Sequence, residues 1–325
     1  MEVKKKPFSP DILKIDDIER CCDTIVTGLR QNVSDELHRR GGIVGISGGI
    51  DSSVVLALST LALGKDRVLG VMLPERDSSD ESAMLARELA SQFGVKTVLE
   101  EITGALEGFG CYHRRDEAIK RVIPEFEPSR DKSKIEIKQN LSSALPSLFT
   151  LTVIKENGET ISKLLPAQEY LQIVAATNFK QRTRMAMLYY HAERNHYAVI
   201  GTPNKHEVEQ GFFVKYGDGG ADVMPIAHLY KTQVYQLAEF LGIPKSIISR
   251  TPTTDTYSAE QSQEDFYYQM PFESLDLIWY GWENRYQPAE IADVMDYSEE
   301  EIEKIFKSFE RKVKSTAYLR MPPIF

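Results

Sequence analysis

The 325-residue sequence has only three cysteines, two of them adjacent (Cys21, Cys22) and the third at Cys111. That spacing builds neither a disulfide framework nor a zinc site, and it reads as reduced thiols in a cytoplasmic protein. No stretch approaches 18 apolar residues, which excludes a membrane-spanning helix. Lys4, Lys5 and Lys6 are not followed by an apolar core, so the first ten residues are not expected to be a secretory signal. Positive charge is also short: 39 Lys and Arg against 48 Asp and Glu leave a net charge of −9. Such a chain is poorly suited to nucleic acid, which calls for a basic surface. Histidines are few, and His113, His191, His196, His206 and His228 show no ligand spacing with cysteine; surface or capping positions are expected for them. Trp279, Tyr280 and Trp282 cluster on one segment and read as core or dimer packing. What remains is ordinary for a globular protein, 42% hydrophobic and 27% charged, with enough length for a full core.

Apolar periodicity alternates between two kinds. Residues 11–40 repeat apolar positions at three- and four-residue steps and predict a helix. Ile43 to Ile46 and Tyr197 to Ile200 read as strands buried on both faces, and Arg67 to Leu73 and Val95 to Ile102 as two further strands. Helical patterns lie between them, at Val54 to Leu63, Asp80 to Phe93 and Tyr170 to Arg194. This order predicts an α/β fold: a doubly wound parallel sheet with flanking helices. Residues 104–166 are too long for a crossover and read as an insertion containing a β-hairpin, Leu148–Ile154 and Glu159–Leu164 around Asn157-Gly158. The stretch from Cys111 to Lys138 is mixed in charge. After residue 223 the pattern is mostly helical, so one domain over 1–325 is expected, with a helical C-terminal part at 257–325.

The first strand stops at Ser47-Gly48-Gly49-Ile50-Asp51-Ser52-Ser53. Glycines there let the backbone approach an anion, and the following helix turns its free amides into the loop; together these form a phosphate cradle. Asp51, expected on an exposed loop, would repel a bare phosphate and so implies a divalent cation between them. No lysine follows the glycines, so this is not the GxxxxGK[ST] loop. Downstream come Asn178-Phe179-Lys180-Gln181-Arg182-Thr183-Arg184-Met185, then Gly201-Thr202-Pro203-Asn204-Lys205-His206-Glu207. Gly211-Phe212-Phe213-Val214-Lys215-Tyr216-Gly217-Asp218-Gly219-Gly220-Ala221-Asp222, Leu229-Tyr230-Lys231 and Pro252-Thr253-Thr254-Asp255 follow. Arg182 offers a planar fork to phosphate. Glu207 lies just past a strand's C-terminal end, where open α/β sheets gather ligands. Three glycines between Lys215 and Asp222 suggest a mobile lid.

The SGGxDS string resembles the pyrophosphate loop of the N-type ATP pyrophosphatases, with their adenine nucleotide alpha hydrolase-like fold. The later strings are similar to ammonia-dependent NAD synthetases, over residues 20–103 and 170–256. The resemblance implies adenylation of the nicotinate carboxylate of deamido-NAD by ATP with Mg²⁺, then amidation by ammonia. It implies that Ser47, Gly48, Gly49, Asp51, Ser52, Met72, Arg182, Thr202, Lys231 and Thr253 bind ATP. It likewise implies that Asn178, Lys215, Asp218 and Asp222 bind the acceptor, that Asp51 and Glu207 hold the metal, and that Asp51, Lys231 and Asp218 act in catalysis. A homodimer is implied as well. No glutaminase module is read in the sequence, so ammonia is expected to arrive free or from a separate subunit.

The chain also departs from that family. Met72 stands where the family has an ATP-binding arginine, with Arg76 nearby. Gln263-Glu264-Asp265-Phe266-Tyr267-Tyr268 replaces the usual DE-LG string, and the 104–166 insertion is absent from the short enzymes. These changes point at the acceptor end of the site, beside which the insertion is expected to pack. Two alternatives stand beside the main reading: the same chemistry on a different carboxylate, and a nucleotide-binding paralogue without turnover.

Overall fold

The computed structural model describes residues 5–138, 148–253, 257–259 and 261–325. Helix α1 (Ile18–Gln31) starts where the Asp17 carboxylate accepts the Arg20 amide, and a π-turn over Asn32–Glu36 ends it. The cap explains why the helix predicted from residue 11 begins later: Asp17 takes an extended conformation and satisfies a free helix-end donor. Then come β1 (Gly42–Gly45), α2 (Ile50–Leu63), β2 (Val68–Met72), α3 (Asp80–Phe93) and β3 (Lys96–Leu99). After α4 (Thr103–Gly108) and α5 (Cys111–Val122) the chain forms β4 (Lys132–Lys138), β5 (Leu148–Ile154) and β6 (Thr160–Leu164). The long α6 (Ala167–Asn195) leads into β7 (Ala198–Ile200) and α7 (Lys205–Gln210). The rest is helical: α8 (Lys231–Phe240), α9 (Lys245–Ile248), α10 (Phe272–Glu283), α11 (Pro288–Ala292) and α12 (Glu299–Arg320).

The main sheet is parallel throughout, in the order β3-β2-β1-β7. Its strands alternate between two apolar cores. Val44, Ile46, Met72 and Ile200 pack with residues of α1, α2, α3 and α8. Ile43, Val71 and Val199 face the other way, against Met187, Leu188 and Ala192 of α6. Both faces of β1, β2 and β7 are therefore covered, as their apolar runs require; the edge strand β3 is not, with Lys96, Thr97 and Leu99 exposed. The chain runs outward from β1 through β2 to β3, then returns to place β7 on the opposite side of β1. Loops leaving β1 and β7 diverge there, and such a switch point opens a crevice at the strands' C-terminal ends.

The insertion holds a second sheet, antiparallel, in the order β4-β5-β6. The predicted hairpin is β5–β6, with Gly158 at φ +85° in its turn. Strand β4 and helix α5 went unread in the mixed-charge stretch. In β4 the inward positions are Ser133 and Ile135, both nearly fully buried, while lysines alternate with them. The small sheet shares a core with the main body through Ile119, Phe126, Ile135, Leu151 and Val153 against Ile173 of α6.

Leu151 is 1% exposed within that shared core. Leu151→Ala is expected to cost about 2–5 kcal/mol. The check is the denaturation midpoint by circular dichroism; an unchanged midpoint would mean that the insertion contributes nothing to the fold.

Candidate active site

The Ser47–Ser53 loop crosses from β1 to α2 at the switch point. Gly48 has φ +73°, and a Cβ there would lie 2.7 Å from the Ser82 carbonyl oxygen, so the turn is open to glycine alone. Gly49 caps α2, and its carbonyl accepts the Ser52 and Ser53 hydroxyls at 2.9 and 2.8 Å. Asp51 follows in the first turn. Across the crevice, Asn204 caps α7 in a capping box: its side chain accepts the amides of His206 and Glu207, and Glu207 Oε2 accepts the Asn204 amide at 2.9 Å. Asn204 Nδ2 also reaches Asp51 Oδ1 at 3.3 Å. Beneath them Lys231, the first residue of α8, is fully buried and pairs its ammonium with Asp51 Oδ2.

These charges shape one another. Burial alone would push the Lys231 ammonium down, but Asp51 and Glu207 outweigh it and hold it above its ordinary value. Burial, with the Asp51 charge adding to it, pushes the Glu207 carboxyl up to about 8 against the pull of Lys231. Asp51 is thus not the exposed loop carboxylate that the sequence suggests: its side chain is 16% exposed and neutralises a buried lysine. Asp51 and Glu207 line one small cavity with Ser47, Ser52, Thr202 and Thr253. No cluster of three His, Cys, Asp or Glu converges among the described residues. Two carboxylates suit a hard cation such as Mg²⁺, which completes its shell with water and phosphate oxygens. A cation between them would also relieve the repulsion that raises Glu207.

A larger crevice of about 430 Å³, enough for a nucleoside, continues from this cavity. Ser47, Ser52, Thr202, Glu207 and Thr253 line both. Met72 and Asn178 line the crevice, as does Asp218. One wall is apolar, with Val71, Met72, Leu73 and Ala83; another is aromatic, with Phe149, Tyr170, Tyr257, Phe212, Phe266 and Tyr267. Phe149 stacks on Tyr170 at 3.9 Å and Phe212 on Tyr267 at 4.5 Å. The insertion thus contributes Phe149 to the crevice, while its 128–132 stretch lines a neighbouring cleft with Arg76 and Arg250.

Other expected residues lie elsewhere. Arg182 is exposed, outside the crevice lining, and donates to the Lys215 carbonyl at 3.3 Å. Lys215 Nζ donates to the carbonyls of Tyr318 and Met321, at the end of α12. Asp222 accepts the Val199 amide and the Tyr189 hydroxyl, fastening the loop to β7. Arg76 lies over the Tyr112 ring rather than in the crevice. Thr254 and Asp255 lie outside the described residues. The guanidinium that does line the crevice is Arg184, one helical turn on from Gln181; it donates to the Leu73 carbonyl at 3.2 Å. Thr177, Gln181 and Arg184 all line the crevice, and that stripe was readable from the i, i+4, i+7 spacing. The glycines of the Lys215–Asp222 segment answer to close packing: a Cβ on Gly219 would overlap the Phe213 ring. Two histidines expected at the surface or in caps are buried, His191 beside Glu100 and His206 beside Asp276.

Next to the crevice, at the start of the β2–α3 loop, Lys180 Nζ lies 2.9 Å from Glu75 and 2.8 Å from Asp77. Arg115 of α5 reaches Asp77 at 2.6 Å, and the Tyr112 hydroxyl donates to Glu75. Burial would raise Asp77, but Lys180 and Arg115 hold it well below the usual carboxylate range. Of this group only Lys180 lines the crevice, and the group went unread because its partners are scattered over three segments.

Asp218 is exposed as a residue, yet the side of it that lines the crevice is desolvated, and its carboxyl is pushed up to about 6 while accepting the Val214 amide at 2.7 Å. A raised carboxyl favours folding most when protonated. Its contribution is full below about pH 4, the unfolded value, and is lost as pH rises through about 6. Asp218→Asn keeps the accepting oxygen and removes the titration. Its melting temperature relative to the native chain is therefore expected to be higher at pH 8 than at pH 4; a pH-independent difference would contradict the raised value.

The described geometry has close parallels. A family model described as NAD synthase matches residues 21–125 and 114–323. An NH(3)-dependent NAD(+) synthetase of Mesorhizobium japonicum is 49% identical over 302 residues, covering 93% of this chain and 94% of the relative. One of Thermotoga maritima is 34% identical, covering 93% and 98%. Among solved structures, the NMN synthetase of Francisella tularensis superposes with a TM-score of 0.65 at 20% identity, covering 96% of this chain and 99% of its own. The NH3-dependent NAD synthetase of Campylobacter jejuni gives 0.62 at 20% identity, over 96% and 100%; at these identities the likeness speaks for the fold. On the family match and the near-full-length relatives, the chain belongs to the NAD synthase family.

Proposed function

We propose that this protein makes NAD from deamido-NAD, ATP and ammonia, releasing AMP and pyrophosphate. The observation that carries the reading is the paired cavity: a phosphate cradle holding Asp51, Glu207 and Lys231, open to a crevice with one apolar and one aromatic wall. The near-full-length relatives described as NH(3)-dependent NAD(+) synthetases support the same substrates.

The triphosphate lies along Ser47–Ser52, with hydroxyls of Ser47, Ser52 and Thr253 and the first amides of α2 donating to it. Adenosine takes the apolar wall beside Met72 and Ala83. The acceptor's nicotinate ring takes the aromatic side, to which the insertion contributes. Its carboxylate oxygen attacks the α-phosphorus, a P–O bond forms, and the bond to the β-phosphate breaks to release pyrophosphate. Lys231 lies beneath the cradle, where its charge offsets what builds up on the leaving group. Bound between Asp51 and Glu207, Mg²⁺ would supply Lewis-acid charge at the phosphate oxygens. Ammonia then attacks the acyl carbon, AMP leaves with the carbon–oxygen electrons, and the surplus proton passes to Asp218. A carboxyl held near 6 is matched to taking a proton at neutral pH. Cytoplasmic location and a homodimer complete the reading; the long α6 with its exposed Leu171 and Tyr190 offers an interface element.

The assay is pyrophosphate release with ATP, Mg²⁺ and ammonium, with and without deamido-NAD; release independent of deamido-NAD would sink this acceptor and favour a different carboxylate. Asp51→Asn is expected to cut release about 100-fold or more. Because it strands the buried Lys231, the variant should also lose about 3 kcal/mol of stability. Turnover is therefore measured at a temperature where circular dichroism finds the variant folded; near-native turnover there would overturn the role given to Asp51.

A further inference from the structure

Three separate elements carry the charges of the phosphate cavity: Asp51 on α2, Glu207 on α7 and Lys231 on α8. Asp276 of α10 connects two of them. It is fully buried, with Oδ1 2.6 Å from Nε2 of His206, itself fully buried on α7. Its other oxygen, Oδ2, accepts the Thr232 amide at 2.7 Å, one residue past Lys231. His206 Nδ1 lies 3.2 Å from Gln210 Nε2. The Nε2–H of His206 donates to Asp276, and Nδ1 faces the Gln210 amide.

The links close into a ring. Asp276 holds the His206 side chain, and the His206 amide donates to Asn204 Oδ1 at 3.0 Å. Asn204 Nδ2 reaches Asp51 Oδ1, Asp51 Oδ2 pairs with Lys231, and the next amide returns to Asp276. Asn204 also exchanges bonds with Glu207 in the capping box. Every charged group of the cradle is thus within two bonded steps of Asp276 or His206. An apolar pair of the same size would hold these helices together at least as well, since buried ionic partners are costly to desolvate. What the pair adds over apolar contact is direction, because a hydrogen bond fixes angle as well as distance.

We infer that Asp276 and His206 are a positioning pair, which sets Glu207 and Lys231 at the spacing that one metal–triphosphate ligand requires. The inference rests on the assignment of the cradle to Mg·ATP. Partners placed behind metal-binding groups are worth about 10–100-fold in affinity or activity.

The test is calorimetric binding of ATP to the purified chain, with Mg²⁺ and with EDTA, without acceptor. In the His206→Leu, Asp276→Leu double variant no charge is orphaned. It is expected to bind metal-free ATP within about twofold of the native chain, while losing about 10–100-fold of the tightening that Mg²⁺ brings. His206→Gln retains a donor for Asp276 and should keep most of that tightening. Full tightening in the leucine pair, or an equal loss in His206→Gln, would overturn the inference. If the leucine pair does not fold, Asp276→Asn takes its place: one acceptor oxygen then serves two donors, one link is lost, and native Mg²⁺ tightening would overturn the inference equally. Since no acceptor is present, failure to turn over deamido-NAD would sink the functional reading and leave this result standing.

Discussion

A buried ammonium governs the architecture of the site. Lys231 has no exposed surface, and an unpaired charge in that position would not be tolerated. Asp51 must therefore stand beside it, which fixes the first turn of α2 against the start of α8. Glu207 shares the same field and is raised by burial and by Asp51. The cradle is left with two carboxylates and one lysine under a loop of amides and hydroxyls, a balance that a cation-bound polyphosphate can complete.

A second buried charge group stands beside the crevice with a different task. Lys180, Glu75, Asp77 and Arg115 join α6, the β2–α3 loop and α5. That loop supplies Pro74, Ser78 and Ser79 to the crevice lining. The first group belongs to the proposed phosphate site, whereas the second ties three segments of chain together.

The main sheet was legible because β1, β2 and β7 are short apolar runs buried on both faces, with helical patterns between them. Asp80–Phe93 was readable to the residue. Strand β4 was hidden by lysines on its outer face, and α1 was read too long because Asp17 interrupts a pattern that apolar spacing alone continues. Of the cavity lining, the loop motif pointed to Ser47, Asp51 and Ser52, the end of the fourth strand to Glu207, and the family resemblance to Thr202. Side-chain direction was less readable. Arg182 and Arg184 are two residues apart on one helix, and only the second lines the crevice. His206 shows the same limit: its partner Asp276 is 70 residues away, and no local pattern announces it.

The pairing of β7 with β1 has a consequence for synthesis. Gly42 stands opposite Ala198, so the central strand cannot gain its second neighbour until the chain has been made through α6 and beyond. Closing so long a loop costs little in final stability but delays the contact. At ribosomal rates the open edge of β1 waits on the order of ten seconds or more. Throughout that interval the nascent chain displays an apolar strand edge with no partner of its own, the feature that holdase chaperones cover and that neighbouring nascent chains exploit in aggregation.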